Sequence, residues 1–254
     1  MNKKISEIKA EFEATDKVML NELYAKYEKD ERTGVVNLIQ KYKKQEQKLC
    51  MERERIENMR IYERKYADFS YICGIDEVGR GPLAGPVVAG AVILPKDCEI
   101  LYLNDSKKLS EKRREELYDE IMEKAIATGI GIVSPARIDE INILQATYEA
   151  MRIAIQQLET EPDLLLNDAV TIPGVTIDQV PIIKGDAKSV SIAAASIIAK
   201  VTRDRLMVWY DDVLSGYGFA SNKGYGSAEH ITALKTLGAT PIHRMSFIKN
   251  FVCD

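Results

Sequence analysis

The sequence predicts an α/β protein with a mixed β-sheet, helices on both faces of the sheet, and a helical extension at the N-terminus. Two observations carry this prediction. Residues 1–66 contain no proline and place charged residues between apolar ones at helical spacing. From residue 69 onward, short apolar runs alternate with helical stretches, as in a sheet covered by helices. We therefore expect an extension over residues 1–66 and one larger domain over residues 67–254.

The extension is predicted to hold two or three helices. Good helix formers run from about Val35 to Tyr66. The polar segment DERTG, which ends at Gly34, predicts a break before them. The extension has 16 Lys/Arg against 13 Asp/Glu, a net charge of +3, whereas the remainder of the chain carries −7.

The larger domain is predicted to open with a hairpin, because the strands FSYICGID and VVAGAVIL flank the turn-rich segment GRGPLAGP. A helix over EKRREELYDEIMEKAIA follows, with Ser110 as its N-cap, and then the short strand IGIVS. The next helix, RIDEINILQATYEAMRIAIQQL, is expected to break near Asn142. Two further strands, DLLLND and PIIKGD, precede the long helix SVSIAAASIIAKVTRDRLMVWYDDVL. After the loop GYGFASNKGYG, the helix SAEHITALKTLG is closed by Gly238.

Composition excludes several classes of protein. No stretch approaches the roughly 20 apolar residues of a membrane-spanning helix, and the N-terminus lacks the apolar core of a secretory signal. The four cysteines are scattered and form no CxxC pair, which is typical of reduced thiols in a cytoplasmic protein. The net charge of −4 neither supports nor excludes a nucleic-acid partner.

Three of the predicted strands end in carboxylates. Asp76 and Glu77 end the first strand, Asp168 ends DLLLND, and Asp186 ends PIIKGD. Strand ends are where side chains from separate segments of an α/β sheet converge. One such acid alone often only meets solvent or caps a helix, but clustered carboxylates repel one another unless a cation neutralises them. The three strand ends together therefore predict a site, with Asp163 as the nearest competitor of Asp168.

Four carboxylates predict a site for magnesium or a similar cation. Magnesium prefers oxygen ligands, and two ions about 4 Å apart can hydrolyse a phosphodiester. Zinc suits this set poorly, since His230 and His243 are the only histidines of the sequence. No P-loop pattern occurs, and the glycines around Arg80 do not match GxGxxG, so a nucleotide cofactor is disfavoured.

The loop after the first strand predicts close approach of a ligand to the backbone. Gly79 and Gly81 flank Arg80, while Pro82 and Pro86 stiffen the loop. Most such glycine and proline clusters are only turns. Beside Asp76 and Glu77 the loop has a more specific interpretation, because reading a 2′-hydroxyl requires a close backbone.

These residues together resemble a known family. The runs GIDEVGRGPLAGPVVAGAVIL, DSKKLS, KGDAKSVSIAAASIIAKVTRDR and KGYGSAEH are similar to those of bacterial ribonuclease HII, the type 2 ribonuclease H, over about residues 70–250. The resemblance implies a ribonuclease-H-like catalytic domain with C-terminal helices, dependent on two Mg²⁺ or Mn²⁺ ions. It also implies cleavage of RNA in RNA–DNA hybrids and on the 5′ side of single ribonucleotides in duplex DNA, leaving a 3′-hydroxyl and a 5′-phosphate. Ribonucleotide removal and RNA primer removal are the roles that it implies.

The resemblance also implies roles for individual residues. Asp76, Glu77, Asp168 and Asp186 match the family's catalytic and metal-binding acids. Gly79, Arg80 and Gly81 match the element that reads the 2′-hydroxyl and that distinguishes type 2 from type 3 enzymes, and Tyr225 matches the tyrosine that stacks on the neighbouring deoxyribose. Lys107 and Lys188 lie near these motifs, where they either contact phosphates or belong to a solvated surface.

Three alternatives stay open at this stage. The acids could be structural in a duplex-binding module without turnover, or the chain could be a metal nuclease that also cuts DNA. The extension is either a solvated helical arm or a basic grip on the substrate duplex. We expect a monomer, with no membrane attachment.

Overall fold

The computed structural model describes residues 3–15 and 19–251. Residue contacts divide the chain into two compact units, one up to Arg55 and one from Ile56 onward. The predicted boundary at residue 66 follows the change in composition, and it lies eleven residues beyond the point where the contacts change.

The first unit is helical. It contains α1 (Ile5–Ala14), α2 (Leu20–Tyr27) and most of α3 (Thr33–Asn58). Phe12 lies at the centre of its small core, 5.9 Å from the Tyr24 ring and 5.0 Å from the Tyr42 ring. The predicted break before α3 is confirmed, and Asp30 there accepts hydrogen bonds from Arg32.

The second unit begins with the end of α3 and with α4 (Ile61–Lys65), and it is built on a five-stranded sheet of order β3-β2-β1-β4-β5. The strands are β1 (Ile72–Val78), β2 (Val87–Ile93), β3 (Ala127–Val133), β4 (Leu164–Asp168) and β5 (Asp178–Ile182). The predicted hairpin is confirmed, since β1 and β2 pair antiparallel. Because β3 is antiparallel to β2 and the other two strands are parallel to their neighbours, the sheet is mixed, as predicted.

Six further α-helices accompany the sheet in the described part of this unit. They are α5 (Glu111–Lys124), α6 (Pro135–Gln156), α7 (Val190–Val213), α8 (Phe219–Asn222), α9 (Ala228–Leu237) and α10 (Met245–Ile248). Ser110 caps α5 by accepting a hydrogen bond from the Arg113 amide, and α6 breaks at Asn142, so both predictions are confirmed. None of the helices in residues 3–15 and 19–251 is long and apolar enough to span a membrane.

Glycines let α6 and α7 lie unusually close to the two faces of the sheet. A Cβ on Gly74 would collide with the backbone of Ser191 in α7, and one on Gly90 with the carbonyl of Ala195. On the other face, a Cβ on Gly131 would collide with the Ala150 carbonyl in α6. The chain therefore places the α7 backbone directly over β1 and β2.

Two segments differ from their predicted structure. PIIKGD is not a strand throughout, because β5 ends at Ile182 and Asp186 lies in the 3₁₀ turn Gly185–Ala187. Lys184 has a φ of 58°, which ends the extended backbone before that turn. The predicted loop GYGFASNKGYG contains the single turn of helix α8.

Candidate active site

The carboxyl ends of β1 and β4 bring Asp76 and Asp168 side by side. These strands are parallel, and Ile75 pairs with Asn167, so that the next residue of each strand is one of the two acids. Asp76 also pairs with Gly90, whose missing side chain leaves room for α7 on this face. Asp76 is only 7% exposed, whereas Asp168 is partly exposed at the strand end.

Asp186 is brought to the same place by the turn after β5. The amide of Gly185 donates a hydrogen bond of 2.7 Å to Asp168 Oδ1, which ties the turn to the end of β4. A Cβ on Gly185 would lie 2.5 Å from Ile192 Cδ1, so a side chain there would require the end of the Ile192 side chain to shift. Asp186 thus reaches the site through a turn rather than as the last residue of a strand.

The electrostatics of the acids show that their negative charge is incompletely compensated. Burial, with the charges of Glu77 and Asp168, raises the pKa of Asp76 well above its ordinary value. Burial also raises the pKa of Glu77, against the opposing effect of Arg80. The pKa of Asp186 is raised by burial and by the charges of Asp105 and Asp168, while Lys107 opposes the shift.

The donor set fits a hard divalent cation. All four predicted acids offer oxygen only. Burial and the neighbouring carboxylate charges raise the pKa values of Asp76, Glu77 and Asp186, and a cation would relieve that repulsion. No group of three or more His, Cys, Asp or Glu side chains in residues 3–15 and 19–251 is drawn together as a ready metal site. The fit therefore rests on donor chemistry and charge.

Three residues at this site, Asp105, Ser106 and Ser196, are not among the site residues predicted from the sequence. Asp105 raises the pKa of Asp186, and it also accepts a hydrogen bond from the Lys107 amide at 3.0 Å. Ser196 on α7 donates a hydrogen bond that lowers the pKa of Asp76, and its Oγ lies 3.0 Å from Ser106 Oγ. Asp105 and Ser106 belong to the DSKKLS motif, and Ser196 belongs to the run KGDAKSVSIAAASIIAKVTRDR, so each lies in a motif of the sequence, but only the structure shows their contacts with the acids.

The Gly79–Gly81 loop begins one residue after β1, directly beside these acids. Arg80 is exposed, and its Nη1 lies 3.3 Å from Glu77 Oε1. Gly79 has a φ of 91°, and a Cβ there would lie 2.7 Å from both Arg203 Cδ and the Pro86 carbonyl. Glycine is therefore required at position 79 by conformation and by space.

Two buried arginines hold this loop in place. Arg203 donates to the carbonyls of Pro86, Ala84 and Lys223 at 2.9, 3.1 and 2.9 Å. Arg244 donates to the carbonyls of Gly79, Arg80 and Gly85. Both side chains are fully buried, and each planar guanidinium fixes the positions of three backbone carbonyls.

Tyr225 lies beside the same loop. Its ring is the nearest group to Gly81, where an added Cβ would lie 3.8 Å from Tyr225 Cε1. The amide of Leu83 donates to the Gly224 carbonyl at 2.8 Å, which joins the two loops. Tyr225 is 46% exposed, so its ring is available to a ligand.

The remaining sequence candidates differ in how close they lie to the acids. Lys107 is exposed and interacts electrostatically with Glu77 and Asp186. Lys188 is exposed directly after the Gly185–Ala187 turn. Asp163 lies at the opposite end of β4, where it accepts hydrogen bonds from the amides of Ser70 and Tyr71, so the structure favours Asp168 over it.

Comparison with known proteins identifies the family. A family model for ribonuclease HII matches residues 73–250, and a model for the ribonuclease HII N-terminal domain matches residues 4–67. The ribonuclease HII of Lachnoclostridium phytofermentans is 76% identical over 204 residues, which make up 80% of each chain. That of Clostridioides difficile is 58% identical over 203 residues, covering 79% of this chain and 80% of that protein.

A solved structure agrees with this assignment. The crystal structure of ribonuclease H2 from Pyrococcus horikoshii OT3 superposes with a TM-score of 0.60 at 27% identity, covering 71% of this chain and 96% of that one. The predicted ribonuclease-H-like fold is thereby confirmed. The chain belongs to the ribonuclease HII family, and it is an endoribonuclease that acts on RNA–DNA hybrids.

Proposed function

We propose that this enzyme cuts duplex DNA on the 5′ side of a single embedded ribonucleotide, as well as the RNA strand of longer hybrids. The observation that carries the proposal is the position of the Gly79–Gly81 loop. It follows β1 directly, and Arg80 lies 3.3 Å from Glu77. A backbone able to contact a 2′-hydroxyl therefore stands next to the acids that would act on the adjacent phosphodiester.

Asp76, Glu77, Asp168 and Asp186 would hold two Mg²⁺ or Mn²⁺ ions. The chemistry supplied by such ions is activation of the attacking water and stabilisation of charge on the departing 3′ oxygen, which gives a 3′-hydroxyl and a 5′-phosphate. Asp76 is the most buried of the four acids and receives the Ser196 hydrogen bond, and it would hold the ions together with the other three.

The other residues orient the substrate. The backbone of Gly79, Arg80 and Gly81 would contact the 2′-hydroxyl, and the exposed ring of Tyr225 would stack on the neighbouring deoxyribose. Lys107 and Lys188, both exposed near Asp186, would contact backbone phosphates. In the cell, these activities suit ribonucleotide removal from DNA and removal of RNA primers.

The test is cleavage of a DNA duplex with one ribonucleotide, in Mg²⁺ or Mn²⁺, beside an all-DNA duplex. We expect one cut on the 5′ side of the ribonucleotide and none in the all-DNA control. Asp76→Asn should abolish turnover, and Tyr225→Ala should reduce kcat/KM by about tenfold, in line with the loss of one stacking contact.

Each other outcome would contradict a specific part of the proposal. Cutting of the all-DNA duplex would indicate a general metal nuclease. Cutting of a long hybrid without cutting at the single ribonucleotide would remove the Gly79–Gly81 loop from substrate recognition. Full activity of Asp76→Asn would overturn the assignment of the acids.

A further inference from the structure

A pair of buried histidines lies behind Tyr225. His230, on α9, is fully buried, and His243, just before α10, is 3% exposed. Their Nε2 atoms are 3.1 Å apart, and His230 Nδ1 lies 2.8 Å from the Tyr225 carbonyl oxygen. The sequence indicates no role for either residue, and their small number only argues against a zinc site.

The hydrogen bonds around this pair are donated in one direction, from Thr240 through the two histidines to the Tyr225 carbonyl. The Thr240 amide donates to His243 Nδ1 at 2.9 Å, so that Nδ1 is unprotonated and Nε2 of His243 carries the hydrogen. His243 Nε2 then donates to His230 Nε2, and the remaining hydrogen, on His230 Nδ1, is donated to the Tyr225 carbonyl. The Thr240 Oγ1 atom lies 2.8 Å from the same His243 Nδ1 and can act as a second donor to it, so this arrangement of protons satisfies the contacts of the pair with both rings neutral.

The surroundings keep both rings neutral. The rings of Tyr217 and Phe219 pack against the pair, with centroids 5.1 Å from His243 and 5.2 Å from His230 respectively. Burial lowers the pKa of His230, and burial with the neighbouring imidazole lowers the pKa of His243 to about 4.

The charged and titratable groups nearby are directed elsewhere. Tyr217 donates its hydroxyl to the Gly238 carbonyl, and Arg244 and Arg203 are turned to loop carbonyls. Within the described ranges, no carboxylate forms an ion pair with either imidazole. An added proton would break a hydrogen bond at whichever nitrogen received it, because that nitrogen already accepts a hydrogen bond.

The backbone at Tyr225 requires a hydrogen bond from outside its own loop to fix its conformation. Gly224 and Gly226 flank it, and Gly224 has a φ of 84°, so the local chain has more freedom than in most loops. The Tyr225 amide donates to the Asn222 carbonyl at 2.9 Å, and its own carbonyl accepts from Ser227 as well as from His230. The His230 bond is the one side-chain contact that fixes the orientation of this carbonyl among the described hydrogen bonds.

We propose that His230 is a positioning residue for substrate binding, with His243 fixing its tautomer, and that it sets the exposed Tyr225 ring against the Gly79–Gly81 loop. This inference rests on the proposed role of Tyr225 as the stacking group. It assigns no proton transfer to either histidine. The series of hydrogen bonds from Thr240 through His243 and His230 acts only by holding the Tyr225 carbonyl in one orientation.

A matched pair of variants tests this inference. In His230→Asn, the amide nitrogen occupies nearly the position of Nδ1 and can still donate to the Tyr225 carbonyl, whereas His230→Leu fills the space without a donor. We expect His230→Leu to raise KM for the single-ribonucleotide duplex about fivefold, with kcat within twofold of the parent, which corresponds to the loss of one hydrogen bond. His230→Asn should recover most of that loss.

Two additions keep the test decisive. If His230→Leu does not fold, as judged by circular dichroism and thermal unfolding, His230→Phe replaces it, because phenylalanine keeps a ring in the buried space and carries no hydrogen-bond donor. His230→Leu is also combined with Tyr225→Ala in a double-mutant cycle. If His230 acts through the Tyr225 ring, its substitution should have almost no further effect on KM once that ring is absent.

The outcomes separate this inference from the proposed function. Unchanged kinetics in Tyr225→Ala would show that the stacking role of Tyr225 is wrong. A damaged Tyr225→Ala beside a parental KM in the donor-free His230 variant would overturn the positioning role of His230 alone. Losses that multiply in the double variant would also overturn it, since they would show that the two residues act independently.

Discussion

Asp76, which we propose as a metal ligand, lies in surroundings that destabilise its negative charge. It lies at the end of a buried strand, with the neighbouring charges of Glu77 and Asp168, and the Ser196 hydroxyl compensates it only in part. In the absence of a cation, this carboxylate destabilises the folded protein at neutral pH. Natural sites accept such a cost where binding requires the charge.

We predict that Asp76→Asn stabilises the metal-free protein at pH 7 by about 1–2 kcal/mol, a typical gain when an unfavourable site charge is removed. The folded pKa of Asp76 is raised above its ordinary value of 3.8. The stability contributed by its protonated form is therefore complete below that value and is lost as pH rises through the folded pKa. The advantage of the variant should shrink as pH falls.

Urea unfolding in a chelator at several pH values measures this difference. Asp119→Asn, an exposed acid on α5, is the control and should change the free energy of unfolding by less than about 0.5 kcal/mol. An Asp76→Asn protein less stable than the parent at pH 7 would contradict the prediction.

Gly79 and Gly81 offer a second prediction at this scale, because alanine is expected to act differently at the two positions. At Gly79 the positive φ and the contact with Arg203 make alanine costly, by about 2–4 kcal/mol of unfolding free energy. At Gly81 an added Cβ has only the Tyr225 ring nearby, at 3.8 Å. Gly81→Ala should therefore fold normally and lose affinity for the ribonucleotide-containing duplex.

Thermal unfolding and duplex binding, measured on both variants, test this pair. Equal loss of stability in the two variants would show that the contact between Gly79 and Arg203 does not constrain the loop as described. Full affinity in Gly81→Ala would mean that the substrate does not approach the backbone at that position.

At the scale of elements, α7 connects the four acids to the Gly79–Gly81 loop. Its N-terminus, capped by Ser189, lies beside the Asp186 turn, its first half carries Ser196 toward Asp76, and its second half carries Arg203 to the loop. Lys200 and Asp204 on this helix form an ion pair at 2.7 Å. The helix can do all of this only because Gly74 and Gly90 let it approach the sheet.

The break in α6 permits a further prediction at this scale. Asn142 has φ 66° and ψ 164°, and its Oδ1 accepts hydrogen bonds from the amides of Leu144 and Gln145. Asn142→Ala loses this cap and keeps the strained backbone, so we expect a loss of about 2 kcal/mol in stability. Asn142→Gly loses the cap but relieves the strain, so we expect about half that loss.

Denaturant unfolding of the two Asn142 variants, with a common m-value, provides the comparison. If both lost the same free energy, the conformation at this residue would contribute nothing and only the cap would matter. Catalytic constants should be unchanged in both, since Asn142 is outside the site described above.

At the scale of the whole molecule, the boundary of the extension decides how it can be removed. Glu63, within the predicted extension, accepts hydrogen bonds from Ser189 Oγ at 2.5 Å and the Ser191 amide at 3.1 Å, at the start of α7. Arg60 donates to the Lys96 carbonyl at 2.7 Å. Residues 56–66 therefore belong structurally to the catalytic unit, in keeping with the contact boundary at Ile56.

We predict that deleting residues 1–55 leaves hybrid cleavage intact, whereas deleting residues 1–66 lowers stability by about 2–3 kcal/mol through loss of the charged hydrogen bonds to α7. Thermal unfolding and kcat of the two truncated proteins measure this. Glu63→Gln in the full chain is the control and should lose part of the same stability. Equal stability of both truncations would contradict the assignment of residues 56–66.

The shorter deletion also tests the role of the extension. If its basic residues grip the duplex, removing residues 1–55 should weaken binding and flatten its dependence on salt. Unchanged affinity and salt dependence would leave the extension as a solvated arm.

Local pattern was enough to predict most of the elements, though not the bounds of β5 or the short helix α8, and it predicted the residues whose role depends on residue type. The hairpin, the caps at Ser110 and Gly238, and the break at Asn142 all follow from short-range preferences that the sequence expresses directly. The Asp, Glu and Gly residues of the candidate site could likewise be picked out, because metal binding and close backbone approach each demand particular side chains.

Tertiary structure alone decided the contacts between distant segments. No local preference encodes these contacts, because they join residues far apart in the chain. They are the hydrogen bonds of Arg203 and Arg244 to loop carbonyls, the Ser196 bond to Asp76 and the His230–His243 pair. The same is true of Glu63, whose helix resembles the extension in composition and yet caps α7. Composition records what a segment is made of, whereas packing decides which unit it stabilises.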